Sequence, residues 1–477
     1  MTKPTAHYID GVWESALGRP LIEVDNPADG SLVGAVVAGD ARDADRAVEA
    51  ARRAFPGWAA TPLAERIALI ERMAAGIERE RDRLAGLLSA EMGAPIGFAR
   101  AAQVGVALAD LAALAAAARD HEHATAVSNS LVVSEPAGVV VAITPWNFPL
   151  HQIVLKVGGA LLAGCTVVLK PSEIAPLNAA ALARILHDAG APPGVVNVVF
   201  GDGAGVGEPL AAHPGVDLVT FTGSRAVGER IAVVAAANIT RVALELGGKS
   251  AAIVLDDASV ADSVAGVLRS CFANSGQTCA ALTRVLVPAS MLDEWTRAAV
   301  AASADWQPGD PGVEGTAIGP LASQTQLQRV RDHIAAAIDD GAELLAGGLD
   351  APSGLAGGAY VRPTIFGGVT PSMRLFREEV FGPVLAVTAY DSLDEAVALA
   401  NDSDYGLSGG VWSADARRAL DVALRLRTGT VGINGAGLDV GAPFGGYKQS
   451  GVGRECGAAG LAEFFETKSV MGAASLA

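Results

Sequence analysis

Short runs of β-branched and aliphatic residues alternate with longer Ala-rich stretches along most of the chain. Between 43 and 119, leucine and isoleucine recur at three- and four-residue spacing, with Pro62 and Pro95 near candidate starts, a helical pattern. Runs at 131–134 and 139–143 read as strands. Apolar runs at 166–169, 195–200, 218–221 and 242–245 then alternate with candidate helices at 176–189, 205–212 and 224–236. Strands apolar on both faces and joined by crossover helices predict a parallel, doubly wound α/β sheet. A second alternation has strands at 251–255, 285–287, 384–390, 410–412 and 431–434, and helices at 260–273 and 323–338. The two units meet near Leu246-Gly247-Gly248, and the Gly/Pro-rich stretch 347–358 reads as a loop.

At roughly 150 residues per domain, 477 residues make about three domains or two large ones. An apolar half of the chain (51%), with only 18% charged, supplies large cores and excludes a disordered or coiled-coil protein. The net charge of −17 repels phosphate backbones, so no nucleic-acid partner is expected. Nucleotide cofactors stay open, because local backbone dipoles hold them. The longest apolar stretches, such as 157–169 between Lys156 and Lys170, fall short of the about 20 residues of a membrane span, so no membrane partner is expected either. The polar residues 1–10 lack the layout of a signal peptide. Cys165, Cys271, Cys279 and Cys456 form no CxxC pair and no disulfide framework, which predicts a reducing cytoplasm.

Several familiar motifs fail. The glycines at 201, 203, 205 and 207 follow a strand, but their spacing is not GxGxxG. Gly248-Lys249-Ser250 resembles the end of a P-loop, yet Ala243 occupies the required glycine position. His121-Glu122-His123 offers at most two ligands on a predicted surface strand, so no metal is expected, and no GxSxG elbow exists.

Three segments place polar residues in apolar surroundings. Thr144-Pro145-Trp146-Asn147-Phe148-Pro149 follows a strand, and Asn147 is there either to cap a turn or to donate to an oxyanion. Glu245 ends an apolar strand, either capping a turn or serving as a base tuned by its surroundings. Cys279 sits in a Gly/Gln/Thr loop, unlike Cys165 and Cys271 in apolar runs, and is a candidate nucleophile.

In this order and spacing, Asn147, Glu245 and Cys279 resemble the aldehyde dehydrogenase superfamily. The resemblance spans nearly the whole chain. It includes Lys170-Pro171-Ser172-Glu173, Phe221-Thr222-Gly223-Ser224 with Gly228, Glu378-Glu379-Val380-Phe381-Gly382-Pro383, Asn434, and the run from Pro443 to Gly451.

The resemblance implies an NAD(P)-dependent oxidation of an aldehyde to its acid. Cys279 would attack the carbonyl, and the Asn147 amide and the Cys279 N–H would hold the oxyanion, such donors being worth about 3–4 kcal/mol each. Hydride would pass to NAD, leaving a thioester on Cys279 for water activated by Glu245. Lys170, Ser172 and Glu173 match the adenine-ribose contacts, and the charge of Glu173 favours NAD, with NADP possible. Ser224, with Phe221, Thr222, Gly223 and Val227, matches the pyrophosphate region. Thr144, Pro145, Trp146, Gly203, Gly207, Leu246, Gly247, Glu379 and Phe381 complete the expected cofactor site. Lys156 is expected near the cleft, as part of a proton path, and Lys249 to steady the loop after Glu245.

The family's tunnel falls on Phe148, Gln152, Leu155, Thr278, Leu438 and Phe444. Its walls suit an apolar or aryl aldehyde, while Gln152 and Asp439 add polarity. The absence of a basic residue at the mouth argues against acidic semialdehydes. The implied architecture is two doubly wound Rossmann-like units and a small β-arm: 1–117 with 137–247 for NAD, 248–448 for catalysis, and 118–136 with 449–477 for oligomerisation as a homodimer or homotetramer. Rival readings are an acylating relative that uses coenzyme A, a thiol hydrolase and an inactive relative. The presence of Glu245 weighs against the first, the cofactor motifs against the second, and Cys279 with Glu245 against the third.

Overall fold

The structure, a computed structural model, describes residues 4–476. The first three residues of the amino-terminal segment and the last of the carboxy-terminal one lie outside the described residues. Five parallel strands form the centre of an eight-stranded sheet, in the order Val196–Val198, Thr166–Lys170, Val139–Ile143, Leu218–Thr222 and Arg241–Glu245. Four of them are buried over most of their length, because helices cover both faces. The chain runs outward from Val139–Ile143 to one edge, then returns to the other side of the same strand. The crevice at its carboxyl end, between the segments after Ile143 and after Thr222, is therefore the topological switch point where ligands bind in open α/β sheets.

The 43–119 region resolves into helices Ala41–Ala59, Leu63–Arg79, Arg81–Met92 and Gly105–Asp120, with a short turn at Ile96–Phe98 and a π-helical stretch at Ala99–Val104. Together the last three make one continuous helix, Ile96–Asp120, long and apolar enough to cross a membrane. The sequence reading missed it because Arg100, Gln103 and Asp110 interrupt the apolar run. Its Val104, Ala107, Leu111, Leu114 and Ala118 are buried in the main core of the first unit.

The second sheet has seven strands. Six are parallel neighbours: Thr364–Gly367, Val384–Tyr390, Leu282–Pro288, Ser250–Val254, Ser408–Trp412 and Thr430–Ile433. Glu343–Ala346 closes one edge antiparallel. The predicted 205–212 helix is instead a π turn, Gly203–Gly207, followed by one turn of α-helix at Glu208–Ala211. The stretch His121 to His123 is not a strand. It links a helix to Ala124–Val127, and the His121 ring stacks on Phe465 at 4.5 Å.

Ala124–Val127, Ser130–Pro136 and Phe465–Met471 form a separate three-stranded antiparallel sheet. Ala474–Leu476 packs against its first two strands, but residues 451–462 lie elsewhere. Gly451–Val452 pairs with the end of Arg241–Glu245, and helix Gly457–Ala462 packs on Gly105–Asp120 and Pro149–Ala163.

Candidate active site

Asn147 and Glu245 stand at the carboxyl edge of the first sheet, and Cys279 just before a strand of the second, so the three meet where the sheets face each other. Pro149 opens the helix Pro149–Ala163 at its first position, where a missing N–H costs nothing, and the bend before it holds Asn147. The Asn147 carbonyl accepts hydrogen bonds from Gln103 Nε2 (2.8 Å) and Asn274 Nδ2 (3.0 Å). Its side-chain Nδ2 donates to the Gln277 carbonyl at 3.0 Å, two residues before the thiol.

The Cys279 loop is wound against its preferences. Asn274 (φ 54°) and Ser275 (φ 57°) are left-handed, and Gly276 (φ 72°) follows, where any side chain would overlap the backbone at Gly382. Such conformations persist only where the surroundings over-determine them. Here Ser275 Oγ donates to the Gly319 carbonyl (2.9 Å), and Gln277 Oε1 accepts the Ala322 N–H (2.9 Å). Cys279 keeps partial exposure as a residue, but burial, helped by Glu379, Glu245 and Glu455, pushes its thiol up to about 12.

Glu245 is 5% exposed, and neither of its carboxylate oxygens has a hydrogen-bond partner. Burial, with the charge of Glu455, holds it well above the usual carboxylate range against the pull of Lys156 and Arg454. An unpartnered buried carboxyl costs stability and is a mark of function. Gly445 makes room for it, since a Cβ there would lie 2.6 Å from Glu245 Oε1. Behind it, Lys156 pairs with Glu455 and donates to Thr222 Oγ1 (2.7 Å), which in turn donates to Gln152 Oε1 (2.8 Å).

The switch-point crevice carries most of the expected cofactor residues. Thr144 Oγ1 is buried without a partner, and Ser224 begins helix Arg225–Ala236 with no side-chain cap on its free N–H groups. An orphaned hydroxyl beside an uncapped helix end fits the phosphates and ribose of a dinucleotide. Lys170 Nζ reaches Glu173 Oε2 at 3.0 Å, and Ser172 Oγ accepts the Ile174 N–H at 3.2 Å. The Phe221 ring lies under Gly223, and Leu246 lies against Gly228. Across the crevice, Glu379 Oε1 accepts the Gly248 N–H (2.9 Å) and its carboxylate lies over Gly247. Burial pushes Glu379 up to about 7. Phe381, itself left-handed (φ 58°), sets its ring edge-on to Trp146 at 5.3 Å. Val227 and Gly203 are exposed, and Gly207 is buried in the π turn.

Around the channel, Phe148, Thr278 and Phe444 are half-buried and Leu438 is exposed. The carbonyl oxygen of Gln152 is taken by Thr222 (2.8 Å) and Lys156 (3.3 Å), which leaves its Nε2 as the polar group it offers. Leu155 is 4% exposed and lines a small internal cavity with Lys156, Arg454, Glu455 and Cys456. Asp439 Oδ1 is likewise used locally, accepting the Gly441 N–H at 2.9 Å. Outside the cleft, His7, Glu14 and Asp43 bring ligand atoms within 4.8 Å of one another, but Arg19 and Arg46 already pair with the two carboxylates.

The aldehyde dehydrogenase family model matches residues 13–470. The chain belongs to the aldehyde dehydrogenase family. A 3-succinoylsemialdehyde-pyridine dehydrogenase from a Pseudomonas species is 50% identical over 98% of both chains. Among solved aldehyde dehydrogenases, a cysteine variant of aldehyde dehydrogenase C from Pseudomonas syringae, complexed with NAD+ and octanal, is 45% identical with a TM-score of 0.97, covering 98% of this chain and 96% of that one. Betaine aldehyde dehydrogenase from Staphylococcus aureus, in complex with NAD+, is 36% identical with a TM-score of 0.95, covering 98% of this chain and 95% of that one.

For this aldehyde dehydrogenase, sequence reading did not find Glu455, Gln103, Asn274 or the His151–Asp110 pair as site residues. Gln103 and Asp110 are polar residues in an apolar helix, a signal that could have raised them.

Proposed function

We propose that this aldehyde dehydrogenase oxidises aldehydes with NAD through Cys279, Asn147 and Glu245. Cys279 Sγ gives its proton to water and bonds to the carbonyl carbon. The resulting oxyanion accepts from the Cys279 backbone N–H and from Asn147 Nδ2, whose second hydrogen is left over from the Gln277 contact. The residues of the switch-point crevice would hold NAD, which would supply the hydride acceptor. Once hydride has left, the acyl group is a thioester on Cys279. Glu245 takes a proton from water, the water oxygen attacks the thioester carbonyl, and the acid departs as Sγ is released. A raised Glu245 carries out this step best as pH rises through its own titration. The observation that carries the reading is the hydrogen bond from Asn147 to the Gln277 carbonyl, which fixes the amide beside the thiol's own loop.

Thr144 to Trp146, Lys170 to Glu173, the Phe221 to Val227 segment, Gly203, Gly207, Leu246, Gly247, Glu379 and Phe381 hold the cofactor in this reading. Phe148, Thr278, Leu438 and Phe444 wall the channel and suit apolar or aryl aldehydes. The octanal in the Pseudomonas syringae complex is apolar, and the succinoylsemialdehyde-pyridine named for the other Pseudomonas relative carries an aromatic ring. The units divide near Gly247, one carrying NAD and the other the thiol. Two or four copies assemble through the small sheet, in a reducing cytoplasm that keeps the four free thiols reduced.

The test is Glu245→Gln, assayed with NAD and octanal in the absence of coenzyme A. A single burst of NADH followed by a steady rate at least about a hundredfold lower is expected, with Cys279→Ser giving neither. An unchanged steady rate removes Glu245 from the mechanism.

A further inference from the structure

The peptide that carries the oxyanion amide is held from outside its own segment. Pro145 and Pro149 flank Asn147 and lack N–H groups, and among the described residues no backbone N–H reaches the Asn147 carbonyl. That carbonyl accepts instead from two side-chain amides, Gln103 Nε2 at 2.8 Å and Asn274 Nδ2 at 3.0 Å. They come from opposite sides. Asn274 belongs to the thiol's own loop and also donates to the Gln277 carbonyl at 3.3 Å, the same oxygen that accepts from Asn147 Nδ2. Gln103 belongs to helix Ile96–Asp120 of the first unit. Two turns further along this helix, Asp110 Oδ2 lies 2.5 Å from Nδ1 of His151, on the helix that follows Asn147.

Gln103 is costly where it stands. It is fully buried, its Oε1 has no hydrogen-bond partner, and beyond Asn147 its Nε2 meets only the Met92 sulfur at 3.6 Å, a weak acceptor. It also lies in the π-helical stretch Ala99–Val104, a wide turn of a kind that is rare and recurs at functional sites. A methionine or leucine would fill the same place without an orphaned oxygen. What Gln103 gains over them is one bond, to the backbone of the residue beside the thiol. Without that bond the Asn147 carbonyl would be tied to the Cys279 loop alone, and the peptide would follow that loop rather than the first unit.

We infer that Gln103 is a positioning residue for the oxyanion: it fixes the Asn147 peptide to the first unit, so that Nδ2 is already aimed when charge develops on the substrate oxygen. This rests on the oxyanion role given to Asn147 under Proposed function. Gln103 acts through Asn147 and needs no contact with the substrate. A donor stabilises an oxyanion by being preorganised, so looser seating of its peptide lowers the chemical rate and leaves the binding of substrate and cofactor alone.

The experiment follows the rate of the NADH burst with octanal and NAD in Gln103→Met and Gln103→Leu, each made alone and together with Asn147→Ala. Asn147→Ala slows the burst about a hundredfold, and either Gln103 change slows it about tenfold with both KM values within about twofold of wild type. In the Asn147→Ala background the Gln103 changes add nothing, since the group they position is gone. Alkylation of Cys279 by iodoacetamide, which builds no oxyanion, keeps its wild-type rate, and Cys165, Cys271 and Cys456 are buried away from the reagent. The melting temperature holds, because the Asn147 carbonyl keeps Asn274. The inference is overturned by an unchanged burst in both variants, by a slowing as large without the Asn147 amide as with it, or by alkylation or melting temperature lowered in both. A normal burst in Asn147→Ala removes the oxyanion assignment as well, so the two failures are told apart.

Discussion

Lys249 is 1% exposed, and its Nζ has no hydrogen-bond partner. It steadies the loop after Glu245 through its backbone, whose carbonyl accepts from Arg284 Nε at 2.9 Å. Burial, with the neighbouring Arg284 charge, lowers the amine to about 7. In the unfolded chain it titrates near 10.4. Between these values the unfolded chain holds a proton that the folded one has released, so this group makes stability rise with pH over that window. Below it both states are protonated, and the full cost of burying the charge remains. Lys249→Met should therefore raise thermal stability at neutral pH, by on the order of 1–3 kcal/mol, with the gain fading toward pH 10. A melting temperature unchanged or lowered at neutral pH would sink this account. On the cofactor side, Glu173 pairs with Lys170 where an added phosphate would meet its negative charge. Glu173→Ser should raise kcat/KM for NADP relative to NAD by tenfold or more, and an unmoved ratio would reject that role. At this scale Asn147, Glu245 and Cys279 were legible because each stands in a local motif. Glu455, His151 and Gln103 were not, since their meaning comes from partners 299, 41 and 44 positions away.

Helix Leu177–Asp188 begins at Pro176, which offers no side-chain cap. Its first free N–H groups are answered instead by Glu91, wholly buried, which accepts from Leu177 N (2.8 Å) and Asn178 N (3.1 Å) as well as from the Asn178 side chain. Burial holds Glu91 up at about 7 despite these donors. Because the helix directly follows Lys170 to Glu173, a remote cap also fixes the ribose loop. Glu91→Ala should cost about 1–3 kcal/mol and raise the KM for NAD more than it lowers kcat. Equal losses in both parameters would point to general damage instead. The central strands were readable as elements because each is dominated by β-branched and aliphatic residues, most of them buried on both faces. The strands Leu21–Asp25 and Thr364–Gly367 mix polar and apolar positions over a few residues and carry no comparable signal, whereas Leu32–Val37 is an apolar run broken only by Gly34 that went unread. The π stretch at Ala99–Val104 has no counterpart in a 3.6-residue pattern at all.

Across the whole molecule, the small sheet leaves apolar side chains in the open, with Val470 at 42% and Met471 at 82% exposure. A second copy pairing there would cover them, as an unpaired edge invites. Val470→Lys with Met471→Lys should shift sedimentation toward the 48.1 kDa single chain, and a wild type that already sediments as that species would refute assembly. The two-unit plan was legible as two alternations of strand and helix. The return of Gly451–Val452 to the first sheet was not, because two residues of edge strand carry no periodicity.

That return has a temporal consequence. Glu245 is paired on one side by Gly451, roofed by Gly445 and charged by Glu455. The Cys279 loop is held by Gly319, Ala322 and Gly382, but the chamber around Glu245 is built later still, from the last tenth of the chain. The proton affinity of Glu245 is thus set only after the final segment has folded back onto the first sheet.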